Sequence, residues 1–263
     1  MQHTPYCELV GSLNYLAVAT CPNLTFAVSH LSSFLDCYCP EHWTAAIRVL
    51  HYVKGTCDLA LILGGTTIPS LLGHSDSDYA NCLDTSHSIS GYCFTLGSNV
   101  VSWSSKKQPH TVDSSCYAEY IVLHHATKEL LFLCKLLQDL GFPPIHPTPL
   151  LCDNDAAYLL AEDHSHHANM KHIHVKYHSI HDDIVANLTC LTCIHSSDNH
   201  ADIFMKPLAK PNFIHLQSAL GLHICLSFCE EGHASGGANN THFYSATYCT
   251  LHHPLYPHYT GTT

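Results

Sequence analysis

A tight hairpin followed by alternating strand and helix patterns sets what this chain can fold into. Gly91 to Leu96 and Val100 to Trp103 are strand-like runs joined by Gly97, Ser98 and Asn99, which reads as a hairpin. Ile68 to Ser77 supplies a strand before it. After it, Asp113, Ser114 and Ser115 are helix N-cap candidates. Ile121, Val122, Ala126, Leu130, Leu133 and Leu137 mark one apolar helix face. Gly141 and Pro143-Pro144 stop that helix. Pro149 to Cys152 reads as a short buried strand, 154–162 as a helix and 164–171 as a polar loop. Residues 173–186 read as a helix, 188–194 as a strand, and 200–205 as a short helix stopped by Pro207. Three strands and then helix–strand alternation predict an α/β fold, a mixed five-stranded sheet flanked by helices.

The flanks read differently. Residues 1–60 are helical in pattern, with Pro22 and Pro40 between apolar stretches and Gly55, Gly64 and Gly65 in loops. From about residue 223 the chain is rich in Gly, His, Tyr and Asn without a period. The expected division is a helical segment at 1–65, an α/β domain at 66–222 and an unstructured tail at 223–263.

Charge narrows the function classes. The net charge is −11, and charged residues make up 12% of the chain, about half the usual ~25%. An acidic chain does not advertise nucleic-acid binding, which normally shows as a basic face. Arg48 is the single arginine, against 26 histidines and 15 cysteines. Most arginine codons begin with CG, and deamination of methylated cytosine turns them into Cys or His codons. The composition therefore fits a gene eroded by C-to-T change. The cysteine count is odd, the spacings are irregular, and no basic region precedes the first apolar stretch. The thiols are expected to be reduced and the protein intracellular. No run of about 18 apolar residues is present, so no membrane span is expected.

Four carboxylates stand at telling places. Asp76 lies on the first strand, Glu119 in the first turns of the long helix, Asp153 at the carboxyl end of a strand, and Asp202 on the last short helix. Ligand sites of open α/β sheets gather at such strand ends. Carboxylates brought together from separate elements stay ionised only beside hydrogen-bond donors or a cation. Hard oxygen ligands suit Mg²⁺ or Mn²⁺, and two such ions about 4 Å apart activate water and steady a leaving oxygen in phosphodiester cleavage. Taken one at a time, such residues are caps or solvated charges.

Particular stretches sharpen this. LVGSLNYLAVATCPNLTFAVSHLSSFL and EHWTAAIRVLHYVKGT resemble the segment after the reverse-transcriptase palm in copia-type retrotransposon Pol polyproteins. GHSDSDYANCLDT, SISGYCFTLGSNVVSWSSKKQ, SSCYAEY, LLCDNDAA, KHIHVKYH and ADIFMKPLA resemble that family's ribonuclease H domain, in the right order. The resemblance covers about residues 5–222 and implies a ribonuclease H-like fold behind a remnant of the reverse-transcriptase thumb or connection. It implies cleavage of the RNA strand of RNA–DNA hybrids, with two divalent ions on Asp76, Glu119, Asp153 and Asp202 and Asp78 as their neighbour. The partners it implies are the hybrid and the rest of the Pol polyprotein. Lys106, Lys107, Lys171, His172, Lys176 and Lys206 are the candidate hybrid contacts. Two alternatives stand beside this reading: an inactive retrotransposon relic, and a nucleic-acid-binding module that does not cleave.

The chain departs from the resembled pattern at several positions. Tyr117 stands where that family usually has Glu, and Cys21, His51, His87, Cys134 and His181 stand where it tends to have Arg. Asp155 and Asn199 replace Gln, and His174 replaces Asp. The palm aspartates and the integrase are absent from the chain, so it looks like a truncated element. Cys190 and Cys193 form a CxxC near several histidines, but no second spaced pair follows, so no structural zinc is expected.

Overall fold

The computed structural model describes residues 4–64, 70–78, 87–109, 111, 114–155, 174–225 and 244–246. The expected helix at 154–162 and loop at 164–171 fall almost wholly outside these residues. At the N-terminus, α1 (Tyr6–Ala19), α2 (Thr25–Ser32) and α3 (Pro40–Gly55) pack around two small cores. Leu13, Ala17, Leu24 and Val28 form one, and Tyr6, Val10, Leu31 and Ala46 the other. Buried Tyr6 satisfies its hydroxyl on the Leu31 carbonyl at 2.8 Å, as a desolvated donor requires.

The main sheet contains β2 (Leu71–Asp78), β3 (Ile89–Leu96), β4 (Asn99–Lys107), β5 (Thr148–Cys152) and β6 (Thr189–Cys193). Their order is β4-β3-β2-β5-β6. The β2–β3 and β3–β4 pairs are antiparallel, and β2–β5 and β5–β6 are parallel. This is the mixed five-stranded sheet expected from the sequence.

Strand periodicity divides the core. Adjacent Cys93 and Phe94 are both fully buried yet belong to different clusters, because successive side chains leave opposite faces of a strand. Phe94 packs with Leu71, Tyr120, Leu123, Leu130, Leu150 and Ile180 beneath α4 (Ser115–Asp139) and α5 (His174–Val185). Cys93 packs with Val100, Phe204, Leu216, Leu220 and Leu222 under a 3-10 helix (His200–Phe204) and α6 (Lys210–Ala219). Ser114 caps α4 by accepting from the Tyr117 amide. The expected apolar stripe on α4 is turned inward as far as Leu133, with Leu137 at its margin.

The flanking segments contain strand as well as helix. Residues 59–63, expected within a helical segment, form β1 (Leu59–Leu63). It pairs antiparallel with β7 (Leu222–Ile224) and with β8 (Tyr244–Ala246). LALIL is apolar throughout, and its partner strand lies far along the chain, so no local period marks it. Strand β8 lies inside the 223–263 segment, most of which is outside the described residues.

The N-terminal helices are tied to the sheet by polar contacts. Trp103 Nε1 donates to the Ala17 carbonyl at 2.8 Å, and Ser29 Oγ to the Ser105 carbonyl at 3.0 Å. The Tyr52 hydroxyl accepts from Asn23 and Gln217, which links α3 to α6. Among the described residues no helix is long and apolar enough to cross a membrane. None of their cysteines is in a disulfide.

Candidate metal centre

The central strands end beside one another. β2 runs parallel to β5 with His74 opposite Leu151. Continuing that register by two residues brings Asp76 alongside Asp153, the first residue past β5. Glu119 reaches the same point from the second turn of α4, whose start the Ser114 cap sets. One carboxylate oxygen from each of Asp76, Glu119 and Asp153 lies within 4.8 Å of the other two. Asp202, on the 3-10 helix, stands beside Asp76, close enough to raise the Asp76 pKa. Three of the four predicted carboxylates thus form one cluster, and the fourth, Asp202, stands beside Asp76.

Donors are scarce there. The Ser77 amide donates to Asp76 Oδ1 at 2.7 Å and to Glu119 Oε1 at 3.2 Å. Glu119 Oε2 is buried and has no hydrogen-bond partner. Asp76 and Glu119 are each 5% exposed. Burial, then the neighbouring Asp202 and Asp153 carboxylates, push the Asp76 pKa well above the usual carboxylate range. Burial, followed by the charges of Asp76 and Asp153, pushes Glu119 up in the same way. Two desolvated carboxyls and an orphaned oxygen at a strand end suit a hard cation, whose charge would offset their burial. The donor set fits Mg²⁺ or Mn²⁺.

Residues around the cluster hold it in place. Gln108 Nε2 donates to Ser90 Oγ at 2.8 Å, to the Ala118 carbonyl at 3.0 Å and to Ser77 Oγ at 3.4 Å. It thereby ties the residue after Asp76 to the residue before Glu119. Asn199 is fully buried; Nδ2 donates to the Ser75 carbonyl at 3.0 Å and Oδ1 accepts from the Ala201 amide at 3.1 Å. It anchors the turn that carries Asp202. The His74 ring stacks on His200 with centroids 4.2 Å apart. Burial first, then His200, drive the His74 pKa down to about 3, so it is neutral in the fold. Gln108 and Ser77 are site residues that the sequence reading missed. A polar residue closing the SSKKQ run was the available sign.

The basic candidates separate. Lys106 and Lys107 are exposed at the end of β4. Lys107 shares the row of Ile89 and Asp78, so both lysines stand at the sheet edge that bears the carboxylates. Lys206 instead turns to the cluster: Nζ lies 2.7 Å from Asp202 Oδ1. Burial disfavours its charge, but Asp202, Asp76 and Asp78 outweigh that and raise its pKa. Lys176 lies on α5, while Lys171 and His172 fall outside the described residues. Of the CxxC pair, Cys193 donates to Asp155 Oδ1 at 2.8 Å and Cys190 to the Pro147 carbonyl at 3.8 Å.

Known proteins place the chain. No protein-family profile matches it. It is 37% identical over 219 residues to the retrovirus-related Pol polyprotein from transposon RE2 of Arabidopsis thaliana, covering 83% of this chain and 15% of that one. It is 35% identical over 225 residues to the retrovirus-related Pol polyprotein from transposon TNT 1-94 of Nicotiana tabacum, covering 85% of this chain and 17% of that one. The chain therefore spans less than a fifth of the length of these relatives. Among solved structures it is similar to LC11-RNase H1 in complex with an RNA/DNA hybrid. There the identity is 15% and the TM-score 0.40, over 52% of this chain and 94% of that one. With more than four-fifths of its length matched at this identity, the chain belongs to the Pol polyproteins of copia-type retrotransposons.

Proposed function

We propose that this chain is the ribonuclease H part of a retrotransposon polyprotein and cleaves the RNA strand of RNA–DNA hybrids. One observation carries the reading: Asp76, Glu119 and Asp153 meet at the ends of β2 and β5, with Asp202 beside Asp76. Asp76, Glu119, Asp153 and Asp202 would hold two divalent ions, which supply an activated water and charge stabilisation at the departing 3′ oxygen. The protein's own part is positioning. The Ser77 amide orients two of the carboxylates, and Gln108 locks their two elements together. Exposed Lys106 and Lys107 grip the hybrid backbone at the same sheet edge. Preference for hybrid comes from groove shape and contact with 2′-hydroxyls. The working partner is the reverse transcriptase of the same polyprotein, which makes the hybrid.

The test is cleavage of end-labelled RNA–DNA hybrid, double-stranded DNA and double-stranded RNA, each with Mg²⁺ and with chelator. The reading expects internal cuts in the RNA of the hybrid alone, and only with Mg²⁺. No cutting of any substrate would instead favour the inactive relic, to which the scarcity of arginine, with Arg48 alone, points.

A further inference from the structure

Lys206 stands at the rim of the carboxylate cluster. Its ammonium is 2.7 Å from Oδ1 of Asp202, four residues back along the chain. Asp202 stands beside Asp76, which clusters with Glu119 and Asp153. Asp202 is 17% exposed and Lys206 39%, so the pair is partly shielded from solvent. Asp78, on β2, also faces this ammonium. No other cationic side chain among the described residues makes an ion pair with any of the four carboxylates. The cluster therefore has two unlike corners. Glu119 Oε2 and Asp202 Oδ1 are both buried without a hydrogen-bond partner, but only Asp202 has an ammonium 2.7 Å away.

On the reading given under Proposed function, we propose that Lys206 is a tethered cation that competes with the second divalent ion for the Asp202 corner. The first ion enters at Asp76, Glu119 and Asp153, where no cation has to leave. The second must draw Asp202 away from Lys206 and sit close to a displaced ammonium. Its affinity is lowered by that charge, and occupancy of the full site becomes dependent on a high concentration of the metal. Lys206 is thus a positioning residue for Asp202 and a brake on loading.

The experiment is a Mn²⁺ titration of the full chain without nucleic acid, with free ion counted by electron paramagnetic resonance. Wild type is compared with Lys206→Gln, Lys206→Arg and Asp153→Asn. Wild type is expected to bind one ion tightly and a second weakly. Lys206→Gln is expected to tighten the second ion about tenfold, the scale of one partly shielded charge pair. Lys206→Arg keeps the charge and is expected to behave as wild type. If Asp153→Asn loses the first ion while Lys206→Gln leaves the second unchanged, the brake is refuted and the metal site stands. If Asp153→Asn binds Mn²⁺ as wild type does, the metal site and the brake fall together. Circular dichroism of each variant confirms that the counts come from folded protein.

Discussion

Gly91 lies directly across the β2–β3 ladder from Asp76. A β-carbon at Gly91 would stand 2.7 Å from Met205 Cγ, 3.0 Å from Phe204 Cβ and 3.1 Å from the Ala201 carbonyl oxygen. The missing side chain is what lets the 3-10 helix settle on β3 and bring Asp202 to Asp76. Gly91→Ala should push that turn outward, costing about 1–3 kcal/mol through overpacking. Gly11, on α1, has nothing within 4 Å of its would-be β-carbon. Gly11→Ala should be neutral or stabilise by up to about 1 kcal/mol. Denaturant unfolding of both variants checks the contrast; equal effects would contradict the close approach.

Asn199 is the other support for that turn. Both of its amide ends are bonded and it is fully buried. Asn199→Ala strands the Ser75 carbonyl and the Ala201 amide, which should cost about 1–3 kcal/mol. Asn199→Gln keeps the groups but needs room for a methylene, and should recover only part of the stability. Unfolding free energies of the three proteins decide it, and an unchanged Asn199→Ala would contradict the anchoring role.

The raised pKa values make stability depend on pH in a definite direction. The unfolded chain loses its carboxyl protons near pH ~4, while burial keeps protons on Asp76 and Glu119 in the metal-free fold to higher pH. The folded state then binds more protons, so this contribution is full below about pH 4 and is lost as pH rises through the raised values. Melting temperature in chelator should fall between about pH 5 and about pH 8. Mg²⁺ should raise it more at the upper end, because the ion binds the ionised carboxylates. The pair Asp76→Asn and Glu119→Gln should flatten the slope. A slope identical in wild type and the double variant would contradict the assignment.

Lys106 and Lys107 are expected to grip the hybrid backbone. Removing one lysine–phosphate pairing should reduce the salt slope of binding by about 0.7–0.9. Lys106→Ala with Lys107→Ala should therefore weaken binding and flatten its salt dependence. Binding is measured with Ca²⁺ in place of Mg²⁺ to suppress turnover. Coincident lines for parent and variant would place the backbone elsewhere.

Much of the fold was legible in the sequence where the signal is local. The hairpin about Gly97, the apolar stripe of α4 and the strand before Asp153 each carry a short period or a turn signature. The four carboxylates stand out in the sequence because the stretches that hold them resemble copia-type motifs; their places on strands and helix starts alone would read as caps or solvated charges. The strand Leu59–Leu63 was not legible, since its pairing with Leu222–Ile224 depends on residues far apart in the chain. Gln108 escaped notice because its value lies in three partners on three elements. Lys206 reads in sequence as one more basic residue, and only the fold shows its ammonium held by Asp202.

The central claim is that the cluster at Asp76, Glu119 and Asp153 is a cation-dependent nuclease centre. Asp153→Asn tests it most directly, since Asp153 is only half-buried and Asn preserves its shape while removing the charge. Wild type and variant are compared for Mg²⁺-dependent cleavage of RNA–DNA hybrid and for melting temperature in chelator. The expected result is cleavage by wild type, none by the variant, and metal-free melting temperatures within a few degrees of each other. A folded Asp153→Asn protein that cleaves hybrid at the wild-type rate would contradict the account.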